Sequence, residues 1–240
     1  MNKFNWILTI LYLIGGSQVY GQDSLIIKDA LSSIGLNTNQ IKHEFVSVKP
    51  HFNIADEFIL VLPEIIEEDE VIFELNTNII VFNNSNKQIK YKCNEILTSD
   101  AITLRDIIID ERPYRIGHET QAIGIKVKYH GQSKVNPYEM ETFSLFRTDI
   151  DSLICVLDKF ELTSNIGVFD TRCEGEYTNI KHEFIEINEQ DEAFYPIEVK
   201  QEKIIMNDFI DSNGDCVSKD EIFTKRFRLV YKDGYYTEER

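Results

Sequence analysis

The hydrophobic positions change period twice along this chain. From Trp6 to Ile14 they form one short apolar-leaning run, broken only by Thr9. After Asp23-Ser24 they recur as Leu25, Ile27, Ala30, Leu31 and Ile34, the spacing of one face of a short helix. Asp23 or Ser24 stands where a helix start is capped and Gly35 where a helix ends, so a single N-terminal helix is predicted.

Beyond Gly35 the period shortens to two, or the apolar residues cluster in short blocks. Ile123, Ile125, Val127 and Tyr129 alternate with Gly124, Lys126, Lys128 and His130, the clearest such stretch. Further strands are predicted at Glu57 to Leu62 (closed by Pro63), Val71 to Phe73, Ile79 to Phe82, Ile89 to Cys93 and Ile107 to Ile109. Later ones fall at Phe143 to Phe146, Leu153 to Leu157, Phe160 to Leu162, Ile180 to Ile187, Tyr195 to Val199, Lys203 to Met206 and Phe223 to Tyr231. Asn83-Asn84-Ser85-Asn86, His130 to Ser133 and Asn136-Pro137 carry turn chemistry between them. This predicts an all-β domain, a β-sandwich or barrel-like antiparallel sheet with one short helix, over residues 22–240 without a linker. One pentapeptide occurs twice, Ile41-Lys42-His43-Glu44-Phe45 and Ile180-Lys181-His182-Glu183-Phe184, and raises the expectation of a duplicated β-unit with both copies in strands.

The first run reads as export chemistry. Met1 to Asn5 carries one positive charge, Lys3, and Gly15 to Gly21 supplies small residues after the apolar stretch, the layout of a signal peptide over residues 1–21. The run is too short for a spanning helix, which needs about 20 apolar residues. No cysteine follows it until Cys93, which excludes a lipidated cysteine at that site. The expected location is periplasmic or secreted. Removing that leader also removes Trp6, the single tryptophan.

Charge narrows the partners. The chain holds 25 Lys and Arg against 41 Asp and Glu, a net of −16, and loss of Lys3 makes it −17. Such a surface repels phosphate backbones and anionic lipid headgroups, so neither nucleic acid nor a membrane surface is an expected partner. A protein or other extracellular ligand is.

Four cysteines remain: Cys93, Cys155, Cys173 and Cys216. Their spacing matches no zinc pattern, and in an exported chain an even count points to disulfides, with three connectivities open. Cys173 and Cys216 both sit in loop-like segments, where bridge geometry is easiest to satisfy; they are paired here, leaving Cys93 with Cys155.

Two segments carry candidate chemistry. Asp211, Asn213 and Asp215 alternate in a turn, as calcium loops supply ligands. The loop then departs from that pattern. Cys216 stands where glycine is required, and Ile222 where a bidentate acid is required, with Glu221 one residue early. The same letters make a hairpin turn around Asn213-Gly214. The second segment gathers Asp110, Glu111, Arg112, Tyr114, Arg115, His118 and Glu119 near a predicted strand end. Ion pairs account for it as well as a binding or acid–base site does. No nucleophile elbow and no H-E-x-x-H occurs, and His43 and His182 are read as half-exposed strand residues.

Pro113-Tyr114, Ala122 to Val127, Asn136-Pro137-Tyr138 and Glu141 to Phe146, with Cys173 to Glu176 and Gly214-Asp215-Cys216, together resemble a group of uncharacterised exported β-rich proteins of Gram-negative-type bacteria. The resemblance spans about residues 55–235 and implies export and a β-rich fold; it carries over no functional site. The leading expectation is an exported, non-enzymatic binding or interaction protein without a cofactor. The alternatives are a hydrolase of envelope or extracellular polymers using carboxylates near residues 110–119, and a β module stabilised by Ca2+.

Overall fold

A computed structural model describes residues 23–52, 54–69, 72–170, 172–186 and 193–239. The leader-like segment, Trp6 and Val71 lie outside the described residues. The protein is all-β with one short helix, α1, over residues 23–34. Two 3-10 turns follow, Thr38–Gln40 and His43–Phe45, and then thirteen strands. These are β1 (Ser47–Pro50), β2 (Glu57–Glu68), β3 (Phe73–Asn83), β4 (Gln88–Ser99), β5 (Ile102–Ile109), β6 (Tyr114–Arg115), β7 (Gln121–Gly131), β8 (Tyr138–Asp149), β9 (Ser152–Phe169), β10 (Gly175–Glu186), β11 (Ile197–Ile210), β12 (Cys216–Lys232) and β13 (Tyr235–Glu238).

All thirteen belong to one sheet that is not closed into a barrel, so the barrel-like alternative is corrected. Nearly every neighbour is an antiparallel partner; the exception is a single parallel rung, Lys92 opposite Ser152, between β4 and β9. Strand β9 is the hub. It pairs β8 along most of its length, β10 through Thr163 to Phe169, and β4 at that one rung. Several register shifts interrupt its ladder with β8, and Lys159 within it takes φ 44°. Bulges of this kind bend and twist a strand, and they let β9 pass from the stacked core into a projecting part of the sheet.

The core is layered. Ile59, Val61, Ile79 and Val81 of β2 and β3 face Leu104, Ile107, Ile123, Ile125 and Val127 of β5 and β7. Their neighbours Leu60, Leu62, Ile80 and Phe82 point the other way and are covered by Ile26, Ala30 and Leu31 of α1. Strands buried on both faces read as continuous apolar runs, which is why β2 and β3 show blocks, not alternation. The helix buries Ala30 and Leu31 and packs Ile27 and Ile34 against the same cluster, as expected; only its first turn differs, where Ile26 is buried and Leu25 exposed. It ends at Gly35, φ 76°, with Leu36 N–H donating to Leu31 O at 3.0 Å.

The far face of β7 to β9 holds Tyr114, Ala122, Phe143, Leu145 and Val156 against Val199, Leu229 and Tyr236 of β11 to β13. Gly124 belongs here as well. A Cβ at that position would lie 2.7 Å from the Phe143 ring and 2.8 Å from the Tyr114 ring. This layer is tied down where Gly117 bridges Phe194 and Tyr236 Oη donates to Tyr195 O at 2.8 Å.

Several strands run further than expected. Pro63 does not end β2; it sits past the last residue paired to β1, where a missing N–H is tolerated, and its carbonyl accepts from Lys42 N–H at 2.9 Å. The strands expected at Tyr195 to Val199 and Lys203 to Met206 merge into one, β11, which starts at Ile197 and runs to Ile210. The repeated pentapeptide folds in two ways. His43–Phe45 is a 3-10 turn with His43 exposed, whereas Ile180 to Phe184 is regular β10 with His182 buried. Neither histidine is the half-exposed strand residue expected.

Candidate functional site

The 110–119 segment divides into a committed part and a solvated part. Asp110 follows β5 and is 9 % exposed. Its Oδ2 accepts from Lys126 Nζ at 2.7 Å and from Tyr114 Oη at 3.1 Å, while Oδ1 accepts from Arg112 N–H at 3.3 Å. Arg112 Nε also donates to Tyr114 Oη, and its guanidinium lies 4.9 Å over the Tyr114 ring. Burial, the largest influence on Asp110, pushes its pKa up; the Lys126 ammonium and the two other donors outweigh it and hold the carboxyl below its ordinary range. Burial pushes the Tyr114 hydroxyl up to about 12. A carboxylate so occupied is a poor general base.

The other members turn away. Glu111 is exposed and pairs with Lys49 at 2.9 Å. Arg115 donates to His118 O at 3.2 Å, and His118 and Glu119 face solvent. Among the described residues no hydrogen bond or ion pair joins Asp110 or Glu111 to His118 or Glu119, so the carboxylates named for acid–base chemistry do not meet. Lys126, which does complete the cluster, was not legible beside Asp110. It arrives through the β5–β7 register, where Asp110 N–H donates to Gly124 O at 2.8 Å. Next to the cluster lies a cleft of about 360 Å3 lined by Arg112, Lys126, Glu141, Phe143, His182 and Phe184. Its walls are packed rings, Tyr114 to Phe143 at 5.0 Å and Phe143 to Phe184 at 5.3 Å. His182 accepts from the Gln201 amide at 2.7 Å, and burial lowers its pKa, favouring the neutral ring.

The 211–216 loop is a hairpin turn. Asp211 Oδ1 accepts from Asn213 N–H at 2.8 Å and Asp215 N–H at 3.0 Å, and its Oδ2 from the Asn213 amide at 3.3 Å. Gly214 takes φ 85°. Asp211 spends its oxygens closing the turn, and no group of three or more metal-binding acids, histidines or cysteines forms among the described residues. The three residues named for calcium, Asp211, Asn213 and Asp215, lie together in this turn, with Asp211 as the acceptor of its hydrogen bonds.

Cys173 and Cys216 form a disulfide, with Cα atoms 5.8 Å apart across 43 residues. Cys93 and Cys155 are free thiols, which corrects the second pairing. The reason is register. Extending the Lys92–Ser152 rung sets Cys93 level with Leu153, two residues short of Cys155. At about 3.3 Å per residue that offset exceeds what a bridge spans. Burial pushes both thiols up to about 12, so they stay protonated.

The disulfide marks the tip of the second candidate surface. Beyond the core, the far halves of β9 to β12 continue as an arm, the β9–β10 and β11–β12 loops being joined there by Cys173–Cys216. Apolar side chains on this arm are open to solvent: Ile222 is 67 % exposed, Val168 63 % and Phe223 50 %, with Ile166, Phe209 and Ile210 also exposed. The ladder assigns their faces. Ile222 lies opposite Ile204 on one face; Phe223 stands on the other, in the row Phe223, Lys203, Ile180. Among the described residues the outer edge of β12 is paired only from Leu229 to Lys232, by β13. Sequence reading missed this surface. Its signal is the apolar pair Ile222-Phe223 set between charges in Lys219-Asp220-Glu221 and Lys225-Arg226.

No family model, no curated protein and no solved structure matches the chain. No helix among the described residues is long and apolar enough to cross a membrane.

Proposed function

We propose that this chain is an exported, non-enzymatic interaction protein that presents the β9–β12 arm to a protein partner. The observation that carries this reading is the set of solvent-open apolar residues on the arm, Ile166, Val168, Phe209, Ile222 and Phe223, in a chain of net charge −16. Grouped exposed apolar side chains mark interaction surfaces more than isolated ones do. The Cys173–Cys216 disulfide supports export, since such bonds persist in oxidising compartments, as does the leader-like pattern of residues 1–21. The hydrolase alternative finds no support in the geometry around Asp110.

The test is site-specific photo-crosslinking in the producing cell. A photoreactive residue at Val168 or Phe223 should give adducts heavier than the chain. The same residue at exposed Leu25 or Glu119 should give none above background. Equal labelling at all four positions, or none at any, contradicts the reading.

A further inference from the structure

We infer that the partner which fits the outer edge of β12 is a second copy of this chain, joined edge to edge as an antiparallel pair centred on Phe223. This rests on the reading of the arm as the docking element and names its occupant.

Strand β12 spans Cys216–Lys232, yet β13 covers only its last four positions up to Lys232. Just beyond that ladder Glu239 N–H donates to Arg228 O at 2.8 Å. Among the described residues, the stretch from Lys219 to Phe227 therefore has β11 on one side and no strand on the other. Such an edge is a template for another strand. Charges on an edge ordinarily blunt it, and Lys219, Asp220, Glu221, Lys225 and Arg226 are all exposed.

The four charges that directly flank Ile222-Phe223-Thr224 are sorted by sign; Lys219 lies one residue further out and holds Glu221 at 3.0 Å. Asp220 and Glu221 precede Ile222-Phe223-Thr224; Lys225 and Arg226 follow it. A parallel, in-register neighbour would set acid beside acid and base beside base. An antiparallel copy with its twofold axis at Phe223 sets Glu221 opposite Lys225 and Asp220 opposite Arg226. The twofold makes each pair occur twice, as an isologous interface requires. Arg226 already holds Glu198 at 2.8 Å, and a guanidinium has donors for a second carboxylate. The same register brings Phe223 against Phe223 of the second copy and Ile222 against Thr224, covering the two apolar side chains that the single chain leaves open on either face. Asp220 and Glu221 thus do two things: they keep the edge from pairing with arbitrary strands and admit one of matching charge order.

The experiment is sedimentation-velocity measurement of the full chain over a concentration series, with the charge reversals Glu221→Lys and Lys225→Glu, singly and together. The wild type should pass from monomer to dimer with rising concentration. Each single reversal creates two like-charge contacts and should weaken the dimer about tenfold or more. The double reversal restores both pairs and should restore the dimer. A wild type that stays monomeric throughout overturns the inference, and so do single reversals that dimerise as the wild type does. If crosslinking from Phe223 in the cell yields a different protein while the chain stays monomeric, the second copy is the wrong occupant and the arm remains the docking element. If crosslinking yields nothing, the arm reading itself fails. Circular dichroism of each variant confirms that loss of the dimer is not loss of the fold.

Discussion

Strands β2 and β3 and the far halves of β11 and β12 are built from the same antiparallel ladder and comparable apolar content, but they live in different environments. In β3, Ile79, Ile80, Val81 and Phe82 are all 0 % exposed, because β2 and β3 are sandwiched between α1 and the β5–β7 layer. In the arm, Ile222 pairs across to half-buried Ile204 and is itself 67 % exposed, and Phe223 projects from the opposite face. Pairing alone thus shapes a strand without burying it. What holds the arm is backbone hydrogen bonding, cross-strand contacts and one disulfide at its tip; what holds the core is apolar burial on two faces. An element that gives little apolar area to its own fold has that area to give to a partner.

The comparison can be broken most forcefully from the core side. Phe82→Ala should lower unfolding stability by about 3–5 kcal/mol in urea titrations, since it empties a site closed by α1. A loss under about 1 kcal/mol would mean the layer is not packed as described.

The disulfide comes next. In the chain-entropy model a loop of this length contributes about 4 kcal/mol. Replacing Cys173 and Cys216 together by Ser should therefore lower the global midpoint. Hydrogen exchange should show the loss first in the peptides of residues 203–224, with those of β2 and β3 opening last. Uniform loosening of both would erase the distinction between the regions.

Asp110 tests the boundary layer between them. Asp110→Ala leaves Lys126 and Tyr114 without their buried acceptor and should cost about 2–3 kcal/mol. Its folded pKa lies below the unfolded one, so its contribution is fully present above the unfolded value near 4 and is lost as pH falls through the folded value. The wild type should lose stability across that acid window more steeply than the Ala variant; identical acid profiles would remove Asp110 from the account.

The smallest effect belongs to the arm. Ile222→Ser and Val168→Ser should each change unfolding stability by no more than about 0.5 kcal/mol, as exposed sites do. A loss as large as that of Phe82→Ala would show that these residues are packed after all.

How much of this was legible follows the same division. Alternation found β7, and the Asn83 to Asn86 and Asn213-Gly214 turns found two hairpins, because period and turn residues act locally. The Cys173–Cys216 bridge was legible since Cys173 sits in the β9–β10 loop and Cys216 directly after the Asn213-Gly214 turn, at the first residue of β12. Asp233-Gly234, with φ 53° and 98°, is an equally local hairpin signal that opens β13, and it went unread. What distant parts of the chain decide was not legible. The Asp110–Lys126 pair depends on register, the offset of Cys93 from Cys155 on one parallel rung, and the split between His43 and His182 on what each pentapeptide packs against. Nor does an apolar letter say whether it is covered: Ile80 and Ile222 look alike in sequence and differ only in what lies above them.

The most direct measurement is hydrogen exchange read by mass spectrometry at low and at high protein concentration, comparing peptides of β3 with those covering Lys219 to Phe227. Amides of β3 should exchange only through global unfolding at both concentrations. The outward-facing amides of β12 should exchange rapidly in dilute solution and become protected as concentration rises. Protection of β12 equal to that of β3 at every concentration would contradict the contrast between a core closed on two faces and an arm left open.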